Sequence, residues 1–194
     1  MEQPALIRHL DTWAKYVARV GGGIIFVIAI LVTINTLGRK YFGVTFSDAA
    51  EVAGYLFAIA VSFGFAFVLV RRQNVRIDSA YNLMPLRMRS VFDVISAICF
   101  FVVMVMLTRH AARLVFASWE GGSQSVSSMA FPLWIPQLAW AIGFVLLCIV
   151  SGIVTLYAIA ALVRGQHDRV NRLVGIPSLG EEIEEFTEAP DRTQ

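Results

Sequence analysis

The chain has 194 residues, 57% hydrophobic and only 15% charged, with a net charge of +2. Soluble domains carry about 45–50% apolar and about 25% charged residues, so lipid rather than water is the expected solvent. The positive charge is too small and too scattered to point to nucleic acid.

In chain order, residues 1–19 come first. In "PALIRHLDTWAKYVARV", Leu6, Leu10, Trp13 and Val17 recur at helical spacing, while Arg8, Asp11, Lys15 and Arg19 take the other side. That pattern predicts an amphipathic helix lying in the membrane interface, or else an extension of the first span. Gly21-Gly22-Gly23 permits a bend between the two.

Crossing the hydrocarbon takes about 20 apolar residues in a helix. Four segments qualify, predicting an all-α, integral membrane four-helix bundle over residues 20–165, with spans near 20–37, 49–70, 91–113 and 133–163. Strands are excluded because an open sheet strands N–H and C=O groups in lipid, and these runs do not alternate as a barrel would. The first span lacks an Ala-x-Ala site and follows a long segment with Glu2 and Asp11, so it reads as an uncleaved helix. Cys99 and Cys148 lie inside apolar runs and read as small packing residues, not as a disulfide or metal pair.

The loops set the orientation. Arg8, Lys15 and Arg19 precede the first span; Arg71, Arg72, Arg76, Arg87 and Arg89 follow the second; Arg164, Arg169 and Arg172 follow the fourth. The other side holds only Arg39, Lys40, Arg109 and Arg113. Basic residues collect in short cytoplasmic loops, which predicts that both termini and the Arg71–Arg89 loop lie in the cytoplasm. The arginine loop also attracts anionic headgroups of membrane lipids, at about 1 kcal/mol per basic residue. "YNLMPLRMR" reads as a second interfacial piece.

In the third loop, the first half continues the third helix and sets Arg109 and Arg113 one turn apart. "EGGSQSVSS" breaks it, and "FPLWIP" returns the chain to the membrane with Trp134 and Trp140 at interfacial level. Residues 166–194 form a cytoplasmic tail whose "EEIEEFTEAPDRTQ" composition predicts a largely disordered end.

Two constellations stand out within the spans. Ala50, Gly54, Ala58, Ser62 and Ala66 recur every fourth residue, a ridge that lets another helix approach closely, inside this chain or on another subunit. Arg39, Asp48, Glu51 and Arg109 are the charges nearest the non-cytoplasmic edge. Ionisable groups there are usually paired, which predicts an Arg39–Glu51 or Arg109–Glu51 clamp, or else separate solvation of each charge in the headgroups.

No catalytic or cofactor set is present in the pattern. His9, His110 and His167 are isolated, whereas a haem held in a bundle wants paired histidines within spans. Ser123, Ser125, Ser127 and Ser128 have no neighbouring base and read as loop residues. An autonomous carrier would show polar groups at mid-span, and these spans are almost purely apolar. That leaves a helper subunit, or the membrane anchor of a redox or other enzyme complex.

Three segments carry a family resemblance. "GRKYFGVTFSDAAEVAGYLF" is similar, through Arg39, Tyr41, Phe46 and Glu51, to the first turn and second-span entry of the small membrane subunit of TRAP (tripartite ATP-independent periplasmic) transporters. "NVRIDSAYNLMP" resembles a second motif of that family through Asn74, Val75, Arg76, Ile77, Asp78 and Pro85, with Asn74 where the family often has His. "SSMAFPLWIP" resembles its re-entry before the last span, although no proline follows Ser128. The resemblance implies a non-enzymatic partner of a large multispan permease, which carries solute and sodium, and of a periplasmic substrate-binding protein that delivers organic acids or similar solutes. The small subunit would brace the permease and help dock the binding protein, with "EGGSQSVSSMAFPLW" facing the periplasm.

Overall fold

The computed structural model describes residues 5–44, 46, 48–70, 84–127 and 129–175. These form α1 (Ala5–Leu37), a π-helical turn (Gly38–Phe42), α2 (Ala49–Val70), α3 (Leu86–Glu120), α4 (Trp134–Val163) and a short α5 (His167–Val174). Among the described residues there is no strand, only an isolated bridge between Gln124 and Pro132. Four stretches are long and apolar enough to cross a membrane: Arg19–Phe42, Ala49–Leu69, Leu86–Glu120 and Trp134–Val163. The all-α architecture with four apolar helices is therefore as the composition requires.

Three boundaries differ from expectation. α1 runs unbroken through Gly21-Gly22-Gly23, so the N-terminal segment is continuous with the first span and a separate interfacial helix is not confirmed. The side chains of its stripe, Leu6, Leu10, Trp13 and Val17, lie outside the described part. The third helix starts at Leu86 rather than near Val91, absorbing the end of the expected interfacial piece; its continuation to Glu120 is as the first half of the third loop predicts. Residues 167–174 of the tail are helical; the acidic stretch beyond residue 175 lies outside the described residues, as do Arg71, Arg72, Arg76 and Ser128.

The chain forms two compact units. The first comprises Met1–Arg71 and Val102–Val150. Here α1 packs on α2, and a β-carbon on Gly21 would sit 3.3 Å from the Ala60 carbonyl oxygen. Among the described residues of α2, Ala49, Ala53 and Ala60 are the buried alanines. Small residues suit this contact because, in lipid, helices associate by backbone approach and van der Waals packing, not by hydrophobic drive. Ser62 of α2 is 1% exposed and lies against Gly143 of α4. Thr108 of α3 donates to the Phe144 carbonyl of α4 at 3.2 Å. Elsewhere α1 leaves Phe26, Val27, Ile30 and Ile34 exposed, a surface suited to lipid rather than water. Its polar Thr33 and Thr36 satisfy themselves by donating to the carbonyls of Ala29 and Val32.

The second unit comprises Arg72–Phe101 and Ser151–Gln194. Its core is Val94 of α3, Ala158 and Ala161 of α4, and Val170 and Val174 of α5. Thr155 donates to the Ala97 carbonyl at 3.2 Å. A β-carbon on Gly152 would lie 2.9 Å from the Phe101 ring.

α3 and α4 end by the same device. Ser123 N–H reaches the Ser118 carbonyl and Gly122 N–H the Trp119 carbonyl; Gln166 and Gly165 repeat the pattern on Ala161 and Leu162. Gly122 (φ 56°) and Gly165 (φ 68°) take the left-handed conformation that this double-bonded helix end requires and that a β-carbon disfavours.

Candidate functional site

The polar centre of the first unit is Glu51, in the first turn of α2. Tyr55, one turn on, donates its hydroxyl to Glu51 Oε1, and so does Ser125 from the α3–α4 loop. Ser125 has a single hydroxyl proton, already given to Glu51. The 2.7 Å contact between the Ser125 and Ser127 hydroxyls is therefore donated by Ser127. The Ser127 amide also reaches Ser125 Oγ at 3.1 Å. An ionised carboxylate accepts only, so a fan of neutral hydroxyls suits it and fixes the loop to the helix.

The loop is closed on itself as well as latched. Ser125 N–H donates to the Phe131 carbonyl (2.9 Å) and Leu133 N–H to the Ser123 carbonyl (3.0 Å), across the Gln124–Pro132 bridge. The Phe131 ring lies 6.4 Å from the Tyr55 ring. Trp119 and Trp134 meet edge to face at 4.7 Å where the loop leaves α3 and enters α4, beside a shallow groove shared with Ser123, Gln124 and Pro132. The loop tip turns Val126 and Met129 outward, both exposed. Ala130 holds φ 44°, a left-handed value that a non-glycine residue adopts only when its surroundings fix it.

The α1–α2 connection is fixed from within. Asn35 accepts the Phe46 amide on its Oδ1 at 2.9 Å, and Val44 N–H returns to the Gly38 carbonyl at 3.2 Å. The turn presents Tyr41, Phe42, Val44 and Phe46 to the outside, with Lys40 5.4 Å from the Tyr41 ring centre.

A family model matches this architecture: Tripartite ATP-independent periplasmic transporters, DctQ component, over residues 28–164. The chain belongs to this family. No curated protein and no solved structure matches the chain significantly. As a DctQ component it is a small, multi-pass membrane subunit of a TRAP transporter, which in general works with a permease and a binding-protein component. The match includes the latch, both loops of the first unit and all of α2 to α4, and ends just before α5.

The DctQ chain distributes the sequence-predicted residues unevenly. Glu51 is the centre of the latch, but its carboxylate is met by hydroxyls, and neither Arg39 nor Arg109 is brought to it among the described residues. Both arginines are exposed; Asp48 is half-buried in the turn before α2. The ridge on α2 divides. Ser62 is packed inside the chain against Gly143, Ala58 is half-buried, and Ala50 and Gly54 are exposed, with nothing within 4 Å of a β-carbon on Gly54. Ala66 lies on α2, its side chain outside the described part. Arg87 is exposed in the first turn of α3, and Arg89 gives its Nε–H to the Met84 carbonyl at 2.7 Å.

Sequence reasoning missed Ser125 as a partner of Glu51, and Ser127 behind it, since 74 residues separate Ser125 from Glu51 and no local spacing signals the contact. It also missed Asp93, 3% exposed on α3. That residue was detectable as a lone acid inside an apolar run. Among the described residues no three His, Cys, Asp or Glu side chains gather as a metal site.

Proposed function

We propose that this DctQ component is the static brace of a sodium-coupled TRAP transporter in the inner membrane that takes up an organic acid or a similar solute. Its termini and the Arg71–Arg89 loop face the cytoplasm, and the Glu51-latched loop faces the periplasm. The chain grips the large permease and contributes part of the surface on which the binding protein docks. The observation that carries this reading is the split ridge of α2: Ser62 is used internally, whereas Ala50 and Gly54 remain an open, small-residue surface. A helix backbone from a larger neighbour approaches closely only at such positions. Thr33, Thr36, Thr108 and Thr155 inside the spans each spend their hydroxyl on their own helix or on an adjacent one. That suits a scaffold better than a solute path.

The test is reconstitution. A TRAP permease and binding-protein component from the same source are placed in vesicles with this chain and without it, and uptake is driven by a sodium gradient. Uptake and receptor capture should both need the chain. Full uptake by permease and receptor alone overturns the bracing role, and uptake indifferent to sodium overturns the coupling.

A further inference from the structure

Beyond residue 164, where the family match ends, the chain turns back on itself through Gly165 and forms α5. This helix has eight residues and two opposed faces. Asp168 and Arg169 are exposed, while Val170 is fully buried and Val174 is 5% exposed. The two valines close one core with Val94, Ala158 and Ala161, and Leu173 packs beside them.

On α3 the matching face is Ser90, Asp93, Val94 and Ala97, spaced at i, i+3, i+4 and i+7, so all four look the same way. Ser90 is fully buried, with its hydroxyl 3.4 Å from the His167 carbonyl at the start of α5. Val94 is in the α5 core. Asp93 lies between them on the same face and is 3% exposed. A carboxylate inside an apolar span is costly unless it is paired or hydrogen-bonded, and water admitted there competes for that interaction.

We propose that α5 is a clasp: its docking holds the α3 and α4 segments of this unit together and seals Ser90 and Asp93 from water. The spans then depend for their rigidity on a segment outside the family's matched region. The clasp rests on the packing of this chain alone, so it stands or falls independently of the transport reading.

Cysteine accessibility tests it in the full chain in native membranes, with Cys99 and Cys148 replaced by Ala. A water-soluble maleimide should label Ser90→Cys or Asp93→Cys about tenfold or more slowly than Arg169→Cys, as buried sites react only through local opening. Adding Val170→Asp, or ending the chain after Arg164, should bring these rates up to that of Arg169→Cys. Val170→Asp keeps the full length, so it gives a reading even when the shortened chain is degraded. Equal labelling of Ser90→Cys with and without Val170→Asp overturns the clasp. Independently, Val94→Cys with Val170→Cys should cross-link under mild oxidation, and absence of the cross-link also overturns it.

Discussion

Gly143 of α4 lies so close to Ser62 of α2 that a β-carbon placed on it would come within 2.7 Å of the Ser62 Cβ and 3.0 Å of its backbone carbon. The contact involves main chain, so no side-chain rotation relieves it. Gly143→Ala should therefore destabilise the protein by about 1–3 kcal/mol, the usual cost of overpacking a well-filled contact. Thermal unfolding of the purified chain reads the loss, and Ser62→Gly in the same chain should recover part of it. An unchanged melting temperature for Gly143→Ala would show that the two helices are farther apart.

The latch predicts a graded series at Glu51. Glu51→Ala removes the acceptor of two hydroxyls and should free the 121–133 loop, raising amide exchange there several-fold while α3 and α4 stay protected. Glu51→Gln keeps one acceptor oxygen and should fall between. Ser125→Ala should resemble Glu51→Ala in the loop without loosening α2. If all three leave exchange in residues 123–131 unchanged, the latch does not hold the loop.

The glycine triplet of α1 is not uniform. Gly21 is buried against Ala60, whereas a β-carbon on Gly22 or Gly23 meets nothing within 4 Å. Gly22→Ala should stabilise the helix by up to about 0.5–1 kcal/mol, since a mid-helix glycine costs backbone entropy. Gly21→Val should push α1 off α2 and lower the melting temperature. Equal effects at the two positions would contradict the packing.

On α2 a bulky residue at Gly54 should separate folding from assembly. Gly54→Leu points away from the chain's own contacts and should leave the isolated subunit's melting unchanged while weakening co-purification with the permease. Undiminished co-purification would remove Gly54 from that interface.

Reversal of Arg71, Arg72 and Arg76 to Glu should disturb insertion through loss of the positive-inside signal. Yield should fall, or a reporter fused to the C-terminus should change sides. Full yield with a reporter still reading cytoplasmic would deny these residues an orienting role.

Much of the architecture was legible because apolar run length is a local property. The span over 49–70 coincides with α2, and the fourth span with α4 to within one residue. Helix ends were less visible. α3 begins five residues before Val91, because Leu86, Arg87, Met88 and Arg89 are good helix formers though the stretch is not purely apolar. The tail was judged by its acidic end, which hid the alternation that drives α5 onto Val94. The candidate site was only half legible. A carboxylate at the membrane edge announces a need for partners, and charge chemistry suggested arginine, yet the fold supplied Tyr55 and Ser125. Choosing among partners is a tertiary decision: any donor brought within reach satisfies the oxygen, and sequence spacing does not say which loop arrives.

The helices also differ in length in a way the bilayer must answer. α2 has 22 residues and α3 has 35, or about 33 Å and about 52 Å at 1.5 Å per residue. A hydrocarbon slab of about 30 Å fits the first upright. The surplus length of α3 is not apolar: its ends carry Arg87, Arg89, Arg109 and Arg113 and reach past the slab into headgroups and water. α3 therefore stands out of the lipid where α2 stops, a rod whose ends belong to the aqueous phases rather than to the acyl chains.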